Sequence, residues 1–168
     1  MSESTNSDIH QYLTFKLLDE IYAIKVTYIR EVLIVPRITK VPRMPDYMMG
    51  IINLRGKVVP VLDLSRKFAL GDTEITDNTA IIVTAITSSR TDGKHTERTI
   101  GVLSNAVQKV ITIEPKDIEP PPEIGTAIDT EFINGIGQID GAFIIILNIN
   151  KILTGNELQE IQAEGLNT

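Results

Sequence analysis

The chain has 168 residues, 42 % of them hydrophobic but only 5 % aromatic and none of them Trp. That suffices for one ordinary domain or two small ones sharing a core, built mostly of Ile, Val and Leu. A net charge of −6 disfavours nucleic acid, whose phosphates call for a basic face, and the absence of Cys removes disulfides, thiolate catalysis and cysteine-based metal sites.

Residues 1–8 are polar and acidic, and a disordered tail is expected over 1–10. They lack the basic start and apolar stretch of a secretory signal. The longest unbroken apolar run, Ala142 to Leu147, is far short of the roughly 20 residues that span a membrane. A cytoplasmic protein without direct membrane insertion is expected.

Strand signals run from Gln11 to Leu18, with Tyr12, Leu13, Phe15 and Leu17 apolar, and Asp19-Glu20 makes a turn. Ile21–Val26 and Ile29–Val35 follow as strands, or as a strand and a short helical piece, because Ile29, Val32 and Leu33 fall at i, i+3, i+4. Pro36, Pro42 and Pro45 exclude a long helix before Tyr47. From Gly50 to Leu64 the chain reads as a hairpin, with Ile51–Leu54 and Val58–Leu62 joined at Arg55-Gly56, where Gly56 supplies a positive φ. Pro60 cannot donate to a ladder, which places its strand at an edge or a bulge there. Ser65–Leu70 is a helical turn stopped by Gly71, and Asp72–Asn78 is a polar connector.

Thr79–Thr87 is the next strand. Ser88–Arg98 is polar and carries a hairpin signal at Asp92-Gly93. Thr99–Leu103 and Val107–Ile113 are strands. Pro115 and Pro120-Pro121-Pro122 mark an extended loop. Phe132 leads into a second hairpin that begins at Gly135. Thr154–Gly165 reads as a short helix capped by Asn156, with Leu158 and Ile161 as its apolar face.

The two hairpins match. Gly50 aligns with Gly135 and Gly56 with Gly141, without a gap, and Ile51, Leu54 and Leu62 align with Ile136, Ile139 and Leu147. Upstream, Ala23-Ile24, Ile29 and Val32 share their spacing with Gly101-Val102, Val107 and Val110. The period is too long for a solenoid. It indicates two copies of one small β unit, each too small for a core of its own, that pack together as a barrel or sandwich.

Catalytic patterns are missing. The two histidines, His10 in the tail region and His95 in the polar hairpin loop, neighbour no nucleophile. No His/Asp/Glu cluster has metal-ligand spacing. Gly135-Ile-Gly137 begins like a dinucleotide fingerprint, but Asp140 stands at the next glycine position and a strand follows. What remains is surface. Arg55 at the hairpin tip is either a solvated turn residue or a guanidinium that pairs with a carboxylate, Glu31 being the candidate within the chain. Ile29, Val32 and Val110 are core residues taken singly, or as a set line a groove between the halves. The proline loops at 36–45 and 115–124 are connectors or carry function.

Gly50-Ile-Ile-Asn-Leu-Arg-Gly-Lys-Val-Val-Pro-Val-Leu-Asp-Leu resembles the signature of the CheW family of bacterial chemotaxis coupling proteins. Tyr22-Ala-Ile24 with Ile29-Arg-Glu-Val32, Val41-Pro-Arg-Met-Pro45, Asp77–Val83, Ile118–Pro122, Phe132–Gly135 and Ile144–Leu147 extend the likeness in order over residues 11–153. The resemblance implies a mainly β fold of two intertwined five-stranded SH3-like barrels with a short C-terminal helix. Its units lie roughly at 11–70 and 79–153 and share strands and core, with the helix and tail at 154–168. It also implies a cofactor-free, non-catalytic adaptor that joins the cytoplasmic tip of chemoreceptors to the regulatory domain of the histidine kinase CheA, recruited to membrane-bound arrays. By position, Ile29, Glu31, Val32, Arg55, Ala80 and Val110 resemble receptor-coupling residues. Val41, Met44 and Pro45, with Glu119 and Ile124, resemble kinase-binding or ring-forming surfaces. Ser104-Asn105, where many members have Val-Asp, and Asn148, opposite Asp63 of the first repeat, depart from the pattern. The rivals are a coupler of a pilus-motility or other non-flagellar system, a nucleic-acid-binding barrel, which the charge disfavours, and an enzyme with an unrecognised site.

Overall fold

A computed structural model describes residues 10–89, 95–121 and 130–153. The tail, the Asp92-Gly93 turn, Ile124 and the C-terminal helix expected from the sequence lie outside these residues, save for His10. Ten strands are described: β1 (Gln11–Leu17), β2 (Glu20–Lys25), β3 (Ile29–Ile34), β4 (Met48–Leu54), β5 (Lys57–Asp63), β6 (Ala80–Ser89), β7 (His95–Ser104), β8 (Ala106–Thr112), β9 (Ile133–Ile139) and β10 (Ala142–Leu147). A 3-10 turn, Val26–Tyr28, separates β2 from β3, and one helical turn, α1 (Leu64–Lys67), follows β5. No helix among the described residues is long and apolar enough to cross a membrane.

The strands form two intertwined five-stranded SH3-like barrels. One sheet has the order β8-β1-β2-β10-β9, the other β3-β6-β7-β5-β4. Each therefore takes a hairpin from one sequence repeat and three strands from the other. The exchange is sealed by two parallel junctions at equivalent places. Ile21–Ala23 of β2 lie beside Ile144–Ile146 of β10, and Val61–Asp63 of β5 beside Gly101–Leu103 of β7.

Alternation along the strands explains why their apolar runs are continuous. Successive side chains point to opposite faces. Leu13, Phe15 and Leu17 of β1, with Tyr22 and Ile24 of β2, enter a central core shared with Leu62, Ile82, Ile86, Ile100 and Val102 of the other sheet. Their alternates, Tyr12 and Ala23, join Ile113, Ile144 and Ile146 inside one barrel. Val59, Val61, Ile81, Val83 and Leu103 fill the other with Ile52. Strands buried on both faces need apolar residues at odd and even positions alike, as in Ala80-Ile81-Ile82-Val83.

Two sequence expectations are corrected and one open alternative is decided. β5 lies between β4 and β7, not at an edge, and the irregularity of its ladder falls between Met48 and Gly50 rather than at Pro60. Pro60 is tolerated because Ile51 opposite gives both its backbone groups to Thr39 (2.8 Å each), and the β7 ladder starts only at Val61. Nothing there calls on a Pro60 N–H. β6 and β7 also extend into the polar segment, pairing Thr87 with Glu97 and Ser89 with His95. His95 therefore opens β7 instead of lying in a loop, and the threonines supply the strand preference that polarity had masked. The helical alternative at Ile29–Val35 gives way to β3.

Candidate functional site

The hairpin signature builds its own tip. Arg55 (φ 52) and Gly56 (φ 85) both take positive φ, as do Asp140 (φ 51) and Gly141 (φ 81) in the second hairpin. This is the backbone of a type I′ turn, whose twist suits a two-residue hairpin. The Asn53 side-chain oxygen accepts from Gly56 N–H (2.7 Å) and locks the first tip.

From there the Arg55 guanidinium forks onto Glu31 of β3, with Nη1 to Oε2 at 2.7 Å and Nη2 to Oε1 at 3.1 Å. A planar fork on a carboxylate is the strongest geometry such a pair adopts. The hydrogen bond to Glu31, and then its charge, raise the Arg55 pKa above its ordinary value. β3 and β4 are the two outer strands of their sheet, so the pair closes that barrel through side chains. The Arg55 side chain remains 71 % exposed, against 28 % for Glu31.

Among the described residues the second barrel shows no such latch. At the matching positions stand Lys109 on β8 and Asp140 at the β9–β10 tip, with the charges exchanged, and no ion pair joins them. Both instead line a cavity of about 440 Å³ with Ile21, Ile111, Ile139 and Ile144.

The residues carried over by resemblance divide between the sheets. Ile29, Glu31 and Val32 lie on β3, Ala80 pairs with Ile34 on the adjacent β6, and Arg55 covers Glu31. Ile29 packs against the central core, whereas Val32 is 44 % exposed. Val110 lies on β8, an outer strand of the other sheet, opposite Leu13 and half exposed. Sequence reasoning missed Ile34, the most exposed large apolar residue at 88 %. Its signal was position, two residues beyond Val32 on the same face of an outer strand. Phe143 and Val58, both exposed, were also missed, although they match across the hairpin repeat.

The kinase-facing candidates flank a second repeated contact. Thr39 exchanges two backbone hydrogen bonds with Ile51, and Glu119 exchanges two with Ile136 (2.8 and 2.9 Å). Each bridge brings an incoming loop against the outer strand of a hairpin. Beyond Thr39, Val41 is half-buried, Met44 packs against the central core and the Pro45 carbonyl accepts from Met48 N–H at 3.0 Å. Glu119 is exposed.

At Asn105, one of the departures, the side-chain oxygen accepts from Leu18 N–H (2.7 Å) and braces the β1–β2 turn, where Leu18 has φ 55. An Asp would serve equally as acceptor. Among the described residues no group of three or more His, Asp or Glu could hold a metal ion.

Residues 11–157 match the family model of the CheW-like domain. The chain belongs to the CheW-like family. It is 27 % identical to the chemotaxis protein CheW of Treponema pallidum over 94 % of this chain and 90 % of that one. It is 32 % identical to protein FrzA of Myxococcus xanthus, over 85 % and 84 %. The crystal structure of the scaffolding protein TtCheW from Thermoanaerobacter tengcongensis superimposes with a TM-score of 0.75 at 35 % identity, covering 88 % of this chain and 90 % of that one. CheW-like proteins are chemotaxis scaffolds and not enzymes, which agrees with a site made of a latch and exposed apolar strands. The CheW-like signature at Gly50–Leu64 is therefore, in large part, the closing hairpin of one barrel.

Proposed function

We propose that the protein is a coupling adaptor that joins the cytoplasmic tip of chemoreceptors to the histidine kinase CheA. The observation that carries this reading is the conformation of Arg55. A left-handed backbone is strained for any residue with a Cβ, and Asn or Gly would hold the turn with less strain. An exposed ion pair returns little stability for that strain. The arginine is better explained by what it presents, an exposed fork held on Glu31 at the edge of β3, the outer strand whose opposite face carries exposed Val32 and Ile34.

In this reading Ile29, Glu31, Val32, Arg55, Ala80 and Val110 form the receptor side. Val41, Met44 and Pro45, with Glu119 and Ile124, form the kinase side. The protein works in the cytoplasm and reaches the membrane through its receptors. A scaffold that favours one signalling state of the receptor, and holds the kinase at the same time, passes that preference on by linkage.

Arg55→Asn is expected to keep or slightly raise the melting temperature while reducing co-sedimentation with receptor fragment and kinase. Full retention in the pellet by the folded variant would sink the assignment. Titration against the CheA regulatory domain is expected to give micromolar or tighter binding that is lost when Val41–Pro45 is altered.

The likeness to FrzA supports a second reading, a coupler of a pilus-motility or other non-flagellar chemosensory system. It uses the same surfaces and differs in the receptors bound.

A further inference from the structure

A polar cavity of about 280 Å³ opens where the start of β1 and the end of β2 meet the segment after β10. Two cations face it, Lys25 and Lys151, and neither makes an ion pair among the described residues. Tyr12 and Tyr28 add phenol hydroxyls, and Asn134, Asn148 and Asn150 add side-chain amides. None of the residues lining it is an acid.

In a chain with net charge −6 this arrangement is unusual. Carboxylates are in surplus, yet among the described residues none pairs with either lysine. Asn150 narrows the chemistry further. Its side-chain oxygen already accepts from Thr87 N–H on β6 (2.9 Å), so its free function is the amide N–H₂ donor. Tyr12 is almost fully buried. Burial first, and then the charge of Tyr28, push its pKa above the ordinary value. Its hydroxyl is therefore protonated at neutral pH and able to donate. Cations and donors converge from several strands on a space too small for a drug-sized ligand.

We propose that this cavity is a binding site for a small phosphate compound, either inorganic phosphate or a phosphomonoester. A doubly charged tetrahedral oxyanion balances both ammonium groups, and its oxygens accept from donors on several sides. A single carboxylate would leave one lysine uncompensated. The site lies away from the Arg55–Glu31 latch, and it stands or falls independently of receptor coupling. Because Asn150 ties the segment after β10 to β6 of the other sheet, an occupant would brace the contact between the two barrels.

The test is calorimetric titration of the full chain with inorganic phosphate and with glycerol phosphate, at constant ionic strength set by chloride. Saturable binding is expected for at least one of the two, and the tighter ligand identifies the source. Lys25→Gln and Lys151→Gln are each expected to weaken it roughly tenfold, and Tyr28→Phe to weaken it less. The control Lys16→Gln, an exposed charge on β1 away from the cavity, should bind as the parent does. Heats that never saturate with either ligand would overturn the proposal. So would an unchanged affinity in a folded Lys25→Gln/Lys151→Gln variant, or an equal loss in the control.

Discussion

Gly50→Ala is expected to destabilise the fold by about 3 kcal/mol or more and to lower the melting temperature by about 10 °C. Two independent terms add. Gly50 has φ +147, a conformation that side chains rarely adopt. A Cβ there would also overlap the Thr39 carbonyl and lie 2.8 Å from Ile38 Cγ2. The obstacle is backbone, not a flexible side chain, and it is pinned by the two Thr39–Ile51 hydrogen bonds. Relief requires breaking that bridge, which frees the loop carrying Val41–Pro45. The comparison is Gly56→Ala. Gly56 also has positive φ, but a Cβ there meets nothing within 4 Å. Only the backbone term of about 1–2 kcal/mol applies. Equal losses in the two variants, measured by thermal melts followed by circular dichroism, would refute the role given to the bridge.

Asp63→Ala should cost about 3–4 kcal/mol, for a different reason. Asp63 is 1 % exposed and ends β5. Its Oδ1 accepts from Ser65 N–H (3.0 Å) and from the Thr73 hydroxyl (2.8 Å), and its Oδ2 accepts from Thr73 N–H (3.1 Å). One carboxylate thereby caps α1 and ties down the start of the connector between the repeats. Truncation leaves two backbone donors without those acceptors, each worth about 1–3 kcal/mol when buried. Asp63→Asn keeps one acceptor and should lose about half as much. Asn148, its repeat partner, makes no side-chain cap to the 3-10 turn that follows it. Asn148→Ala is accordingly expected to change stability by no more than about 0.5 kcal/mol. Urea denaturation midpoints would measure all three, and an Asp63→Ala variant as stable as Asn148→Ala would contradict this account.

Much of the site was legible in the chain. The hairpin tip at Arg55-Gly56 is written in a short-range rule, because few residues accept positive φ and glycine accepts it best. Glu31 was named as the candidate partner of Arg55 within the chain, beside the alternative of a solvated turn residue, and the structure brings the two together. The paired glycines Gly50 and Gly135 were visible as a repeat, but their reason was not. Gly50 makes room for the Thr39 backbone, and Gly135 for Ile118 and Glu119. Those residues arrive from outside the hairpins, where no local pattern records them.

Pro60 and His95 were misplaced for a related cause. Whether a strand lies at an edge depends on which strand pairs with it, and polarity measures exposure better than it measures pairing. The amino-acid sequence by itself determined the β class, the duplication and the turns, since side-chain alternation and backbone preference act within a few residues. The tertiary structure alone decided that the first hairpin of each repeat, β1–β2 or β6–β7, completes the barrel built on the other repeat's three later strands. It also decided that Glu31 and Arg55 latch one barrel while Lys109 and Asp140 leave its counterpart open. Those outcomes depend on distance in space, which the order of residues along the chain does not contain.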